Sequence, residues 1–278
     1  MRNTVLRSAL NNKKEISKIF QNEDYKKTLD KAKEMWIEFK PNKQACKIIG
    51  IDSSFVTKNY QGMSLYAIDV FASDENGEKI FEDAETNITN QEQSVGSLAA
   101  EFEMKALEES IGKADFVLMD GSILSHNFRT KQDEDRIVSI LDVNPNVLFI
   151  SKNSNSSVQF NSTFGDMTYF NHVSNKSGMT EILKTTTSRF SKDFTVSYVY
   201  ARLADSTQLL KIEKFGEEHS VEEFRECINK ISYKSKHGYP YALRLAHDYC
   251  KIHKSSLNEI AGIFNVKNEI GAREAVSE

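Results

Sequence analysis

The stretch "CKIIGIDSSF", residues 46–55, decides how this chain reads. An apolar run climbs through Ile48, Ile49, Gly50 and Ile51, then stops at Asp52 with Ser53 and Ser54 behind it. Residues 115–124, "DFVLMDGSIL", repeat the grammar: Phe116, Val117, Leu118 and Met119 run into Asp120, Gly121 and Ser122. A buried strand gains nothing in packing from ending on a carboxylate. Two strands that do so point to a pair of acids at one edge of a sheet.

The segments between them set the topology. After a first strand at 46–52, "MSLYAIDVFAS" (63–73) predicts a second. The Asn-Gly in "DENGE" (74–78) predicts a hairpin turn, and a third strand follows at 79–88. Residues 91–112 predict a helix with Gly112 as its C-cap. The second Asp-terminated strand, 115–120, leads through a helix at 129–142 to the apolar run "VLFISK" at 147–152. Three hairpin-linked strands followed by helix, strand, helix and strand is the order of a ribonuclease H-like fold. In that fold the first and fourth strands are neighbours, so Asp52 and Asp120 should meet. The fold class is therefore α/β, a ribonuclease H-like mixed sheet flanked by helices, with an N-terminal helical extension.

We expect one domain over 1–278: an extension at 1–42 and a core at 46–263. A helix at 13–40 carries Ile16, Ile19, Phe20, Leu29, Ala32, Met35 and Trp36 at three- and four-residue spacing and ends before Pro41. The polar stretch 153–190 reads as an insertion or loop-rich region. A hairpin at 193–203 and 207–213, an amphipathic helix at 220–234 and a last helix at 241–263 complete the chain.

Composition narrows the class. Apolar residues make up 39% and charged residues 27%, as in globular proteins. No apolar run has the length of a membrane helix, and the N-terminus lacks a signal-peptide core, so a cytoplasmic location is expected. Cys46, Cys227 and Cys250 are far apart and form no CxxC, which speaks against a zinc knuckle and for inert thiols. A net charge of −4 excludes a protein that grips DNA over its whole surface.

Converging acids have a chemical use. Divalent Mg²⁺ or Mn²⁺ ions need oxygen ligands and suit phosphodiester hydrolysis. Asp52 and Asp120 supply two, and the intervening helix offers Glu103 or Glu101. The latter pair lie about 200° apart around a helix, so only one can face the site; Glu103 is favoured. Taken singly, a strand-ending Asp is as well explained by a turn or cap, and a helical Glu by a solvated face.

With "GIDSS" (50–54), "VLMDGS" (117–122), "ISKNS" (150–154) and "YPYALRLAHDY" (239–249) in order, the chain resembles the NurA nuclease family. The resemblance spans roughly residues 47–253. It implies a metal-dependent DNA nuclease preferring Mn²⁺, with two ions. Such an enzyme degrades DNA from 5′ ends, cuts single strands, forms a homodimer and works with a HerA-type hexameric ATPase in recombinational repair. Carried across, Asp52, Glu103, Asp120 and His247 become the catalytic metal ligands, and Lys152 a substrate-binding cation. An aromatic substrate contact falls on Tyr198 or Tyr200, and Tyr239, Tyr241 and Tyr249 are further stacking candidates. The alternative is a catalytically inactive ribonuclease H-like subunit of an ATPase complex. A sugar-kinase-type transferase fits poorly, because "DSSFVTKNYQG" (52–62) lacks the glycines of a phosphate loop.

Overall fold

The computed structural model describes residues 3–60, 63–90, 93–126, 128, 130–187, 194–253 and 255–266. The predicted helix residues 91–92, 129 and 254, the end of the polar stretch at 188–190, and residue 193 of the expected hairpin lie outside the described residues.

The chain opens with helices α1 (Asn3–Gln21) and α2 (Glu23–Glu34), then the short strand β1 (Trp36–Glu38). A meander follows: β2 (Ile48–Tyr60), β3 (Met63–Asp74) and β4 (Lys79–Thr89). Helix α3 (Gln93–Ser110) leads to β5 (Phe116–Asp120), and α4 (Lys131–Val143) to β6 (Val147–Ser151). Next come α5 (Asp166–Val173), β7 (Gly178–Thr180), β8 (Leu183–Thr187), β9 (Phe194–Arg202) and β10 (Leu210–Phe215). The last part comprises α6 (Val221–Ile231), the two-residue strands β11 (Ser235–Lys236) and β12 (Tyr239–Pro240), and helices α7 (Tyr241–Cys250) and α8 (Ser256–Ile263). Among the described residues no helix is long and apolar enough to cross a membrane.

The strands of the main sheet run in the order β1-β7-β9-β10-β6-β5-β2-β3-β4, with β8 also paired to β9. β5 lies between β2 and β6 and is parallel to both, and the other pairings are antiparallel. The first long strand and the first strand after α3 are thus side by side, as the ribonuclease H-like order requires. β6 is buried along its whole length, as expected of a central strand covered on both faces.

The pleat sorts side chains between two helical layers. Ile48, Leu118, Leu148 and Ile150 pack with α6 and α7 through Phe224, Ile228, Ala242 and Leu243. Ile49, Ile51, Val117 and Met119 pack on the other face with Phe102 and Leu107 of α3 and Ile137 and Leu141 of α4. Gly50 falls on the α7 face. A Cβ there would stand 2.4 Å from the backbone of Ala242 and Leu243, so the missing side chain lets α7 seat directly on β2.

Several expectations need correcting. The helix expected at 13–40 is two helices and a strand. Asn22 adopts an extended conformation and caps α2 by accepting the Asp24 N–H, which breaks the first run. Trp36 pairs with Thr180 instead of continuing the helix, so sheet pairing overrides the helical spacing. β2 does not end at Asp52 but runs on to Tyr60 as one arm of the hairpin with β3. What stops at Ile51 is its parallel pairing with β5. The stretch 153–190 is no mere loop: it holds α5, β7 and β8, and both strands pair with β9. The helix expected at 241–263 breaks after Cys250, where Lys251 is extended.

Candidate metal centre

Asp52 follows the apolar run Ile48–Ile51 within β2, and Asp120 is the last residue of β5. The parallel pairing of β2 and β5 ends at Ile51 and Met119, so the next residues sit together at the carboxyl end of the parallel ladder, where β2 continues only in its hairpin with β3. Open α/β sheets place ligands at such ends. The pleat turns Asp52, like Ile48 and Gly50, toward α7. The seating of α7 on Gly50 then carries His247, one turn beyond Leu243, over Asp52. One ligand atom from each of Asp52, Asp120 and His247 lies within 4.8 Å of the others.

Each of the three has a defined neighbour. Asp52 is 6% exposed; its Oδ1 accepts the Ser53 N–H at 2.8 Å, and its Oδ2 lies 2.8 Å from His247 Nδ1. Asp120 accepts the Tyr239 hydroxyl at 2.9 Å on Oδ1 and the Lys152 ammonium at 3.1 Å on Oδ2. Lys152 also stands over the Tyr239 ring, 4.7 Å from its centroid. Burial, then the charge of Asp120 and that of Glu103, push the Asp52 carboxyl up to about 7 against the pull of His247. Burial and the Asp120 charge push the Tyr239 phenol far up, so it stays a donor to Asp120. Two carboxylates and an imidazole that share so small a space fit a hard divalent cation with one nitrogen ligand, since its charge would relieve their repulsion.

Glu103 arrives from the opposite layer. Ser53, next to Asp52 and therefore turned to the α3 face, donates its hydroxyl to Glu103 Oε1 at 2.5 Å. Glu103 Oε2 lies 2.8 Å from His126 Nε2, and His126 Nδ1 lies 2.8 Å from the Ser122 carbonyl. Glu103 thus sits beside the three-residue cluster, joined to it through Ser53, the neighbour of Asp52. Burial pulls the His126 pKa down, but hydrogen bonding and charge from Glu103 outweigh it and the net shift is upward. Of the two helical acids, Glu103 is the buried one at 9% exposure, while Glu101 is half-buried.

Sequence reasoning missed the residues that brace the site. Glu213 is fully buried and accepts the Ser122 hydroxyl at 2.7 and 2.9 Å and the Ile123 N–H at 3.0 Å. Lys211, also buried, pairs with it at 2.6 Å. They hold the turn behind Asp120, where Gly121 takes a φ of +94°. A buried Lys-x-Glu within an apolar strand was the available signal. Beside Asp120 a polar cleft of about 530 Å³ is lined by Ser122, Lys152, Lys211, Thr185 and the run 153–156.

The aromatic candidates fare differently. Tyr198 and Tyr200 are core residues, 1% and 0% exposed, and Tyr200 stacks on Phe170. A ring enclosed in that way cannot stack on a base. Tyr239 is buried against Asp120, so it too is no stacking surface. Tyr249 is exposed and stacks on Phe71.

The family model described as the NurA domain matches residues 46–252. A curated relative, the DNA double-strand break repair nuclease NurA of Sulfurisphaera tokodaii, is 24% identical over 217 residues. That match covers 60% of this chain and 64% of the relative, so just under two thirds of the relative's length is spanned. The crystal structure of the NurA nuclease from Sulfolobus solfataricus superposes with a TM-score of 0.77 at 20% identity, covering 95% of this chain and 97% of that one. A crystal structure of NurA with manganese gives 0.62 at 12% identity, covering 96% and 99%. One bound to dAMP and manganese gives 0.59 at 10% identity, covering 97% and 98%. At these identities the structural likeness establishes the fold.

Proposed function

This chain belongs to the NurA family, and from that premise we propose that it is a metal-dependent deoxyribonuclease. Asp52, Asp120 and His247 hold the metal, and Glu103 completes the site. The observation that carries this reading is the convergence of the two aspartates and the histidine within 4.8 Å. The name of the curated relative, a double-strand break repair nuclease, supports DNA as substrate. The manganese in two of the similar structures, with dAMP in one, supports Mn²⁺ and a nucleotide product.

Bound divalent cations, two in our reading, supply Lewis acidity and an activated water for attack on phosphorus. The chain's own residues prepare the place. Asp52 and Asp120, fixed on adjacent strands just past the last parallel pair, set the separation of the anionic ligands. Tyr239 and Lys152 hold the Asp120 carboxylate in one orientation. Lys152 also offers its ammonium to a phosphate entering the cleft, so charge that grows on the phosphate is met by a cation already in position. The hydroxyl and amide groups of 153–156 and the buried Lys211 line the path of the strand beyond it.

Attack from 5′ ends, cutting of single strands, a homodimer, a cytoplasmic location and service to a HerA-type ATPase in DNA end processing belong to the same reading. α1 supports the homodimer: none of its side chains is buried, and Val5, Leu6, Leu10, Ile16, Ile19 and Phe20 are exposed. The net charge of −4 supports a partner that delivers DNA, since the protein has little long-range attraction for it. The test is digestion of end-labelled single- and double-stranded DNA in Mn²⁺. We expect Asp52→Ala and Asp120→Ala to abolish cleavage and keep the circular dichroism of the parent. Near-parental digestion by either variant, or none by the parent with Mn²⁺ or Mg²⁺, refutes the proposal.

A further inference from the structure

His126 closes the single 3-10 turn Ile123–Ser125 that follows Asp120. Its side chain is 9% exposed and that of Glu103 11%. The ring stacks near Phe128, with centroids 6.1 Å apart and planes 20° apart, and meets Phe149 edge-on at 5.8 Å. These contacts leave the imidazole one orientation. The Ser122 carbonyl can only accept, so Nδ1 donates to it, and the opposite edge of the ring is aimed at Glu103 Oε2.

Ser122 does not move freely either, because buried Glu213 takes its hydroxyl. An unbroken set of contacts therefore runs from Glu213 through Ser122 and His126 to Glu103, and on through the Ser53 hydroxyl to the residue beside Asp52. The helical acid is anchored to the same turn that carries the strand acid Asp120. An imidazole used only for packing would not need both nitrogens engaged. Carboxylates that bind metal are commonly oriented by such outer partners.

We propose that His126 is a positioning residue, which sets the Glu103 carboxylate relative to Asp52 and Asp120 and thereby fixes the affinity of the centre for a divalent cation. The inference rests on the metal-centre reading above, and the experiment separates the two. Mn²⁺ binding to the DNA-free chain is measured by calorimetry for the parent, His126→Gln, His126→Asn and Asp52→Ala, with thermal melting of each. The Gln amide reaches about as far as Nε2, whereas the Asn amide can serve Ser122 but stops short of Glu103. We expect His126→Asn to bind Mn²⁺ about tenfold to a hundredfold more weakly and His126→Gln to stay within about threefold of the parent, the fraction of the loss that a retained reach should spare. Equal affinities for Asn and Gln, whether both intact or both lost, overturn the positioning role. If Asp52→Ala leaves Mn²⁺ binding intact, the metal centre itself is refuted and this inference with it. If Asp52→Ala abolishes binding and His126→Asn does not weaken it, the inference alone falls.

Discussion

Adding one methyl group at Gly50 tests the geometry that builds the site. An alanine Cβ there would lie 2.4 Å from both the Ala242 carbonyl carbon and the Leu243 nitrogen, where ordinary contact begins at 3.4 Å. The clash is with helix backbone, so no rotamer change relieves it, and α7 must retreat by about 1 Å. Overpacking of this kind costs about 1–3 kcal/mol, or about 2–4 °C of melting temperature per kcal/mol in a chain of this size class. The same retreat acts on His247, one turn beyond Leu243 on the same helix. Its Nδ1, now 2.8 Å from Asp52 Oδ2, would stand about 1 Å further off and outside hydrogen-bond range. A misplacement of that size costs about 10²-fold in rate, near 2.7 kcal/mol of barrier. Urea titration and Mn²⁺-dependent cleavage of labelled single-stranded DNA read the two effects separately. We expect Gly50→Ala to remain folded, with a modestly lower urea midpoint and cleavage reduced about a hundredfold. A variant that loses stability but cuts at the parental rate would break the link between the seating of α7 and the placement of His247. One unchanged in both would refute the close packing itself.

Three further outcomes are expected. Between the ordinary carboxylate value near 4 and about 7, folded Asp52 holds a proton that the unfolded chain has released, so the stability of the metal-free protein falls as pH rises through that window. Asp52→Asn should flatten the fall, and identical pH slopes for the two proteins in urea midpoints would contradict it. Tyr239→Phe removes the hydroxyl given to Asp120. A loss of about 1.5–3 kcal/mol is expected for a bond to a charged group, and a melting temperature and Mn²⁺ affinity equal to the parent's would be the contrary result. Glu103→Gln should weaken Mn²⁺ binding and cleavage while Glu101→Gln leaves both near the parental level; the reverse pattern in calorimetry would move the helical ligand by two residues.

The central layout was legible because the parallel strands are continuous apolar runs. Ile48 to Ile51 and Phe116 to Met119 are buried on both faces, and the break in each run marked the acids. The Asn-Gly turn at 76–77 likewise acts through local chemistry, with the Gly77 N–H given to the Asp74 carbonyl. Elements that depend on distant partners were not legible. β1 and β7 are three residues long and exist through pairing with each other and with β9. Tyr198 and Tyr200 lie on a strand buried throughout, so no alternation told core rings from exposed ones. His126 follows a three-residue turn too short to show periodicity, and only the tertiary arrangement brings it to Glu103. Asp52 and Asp120 were marked by their strands, whereas His247 entered through the motif "YPYALRLAHDY", since a histidine on an amphipathic helix carries no signal of its own.

The pleat at Asp52 and Ser53 has a consequence for the timing of activity. Adjacent residues of one strand address opposite layers, one meeting His247 from α7 and the other Glu103 from α3. The Asp52–His247 contact joins residues 195 positions apart. A chain still emerging from the ribosome, or one with only one helical layer docked, holds a fragment of the ligand set. On the proposed reading, the metal site is complete only once both helical layers have docked on β2, so metal binding belongs to the last stage of assembly.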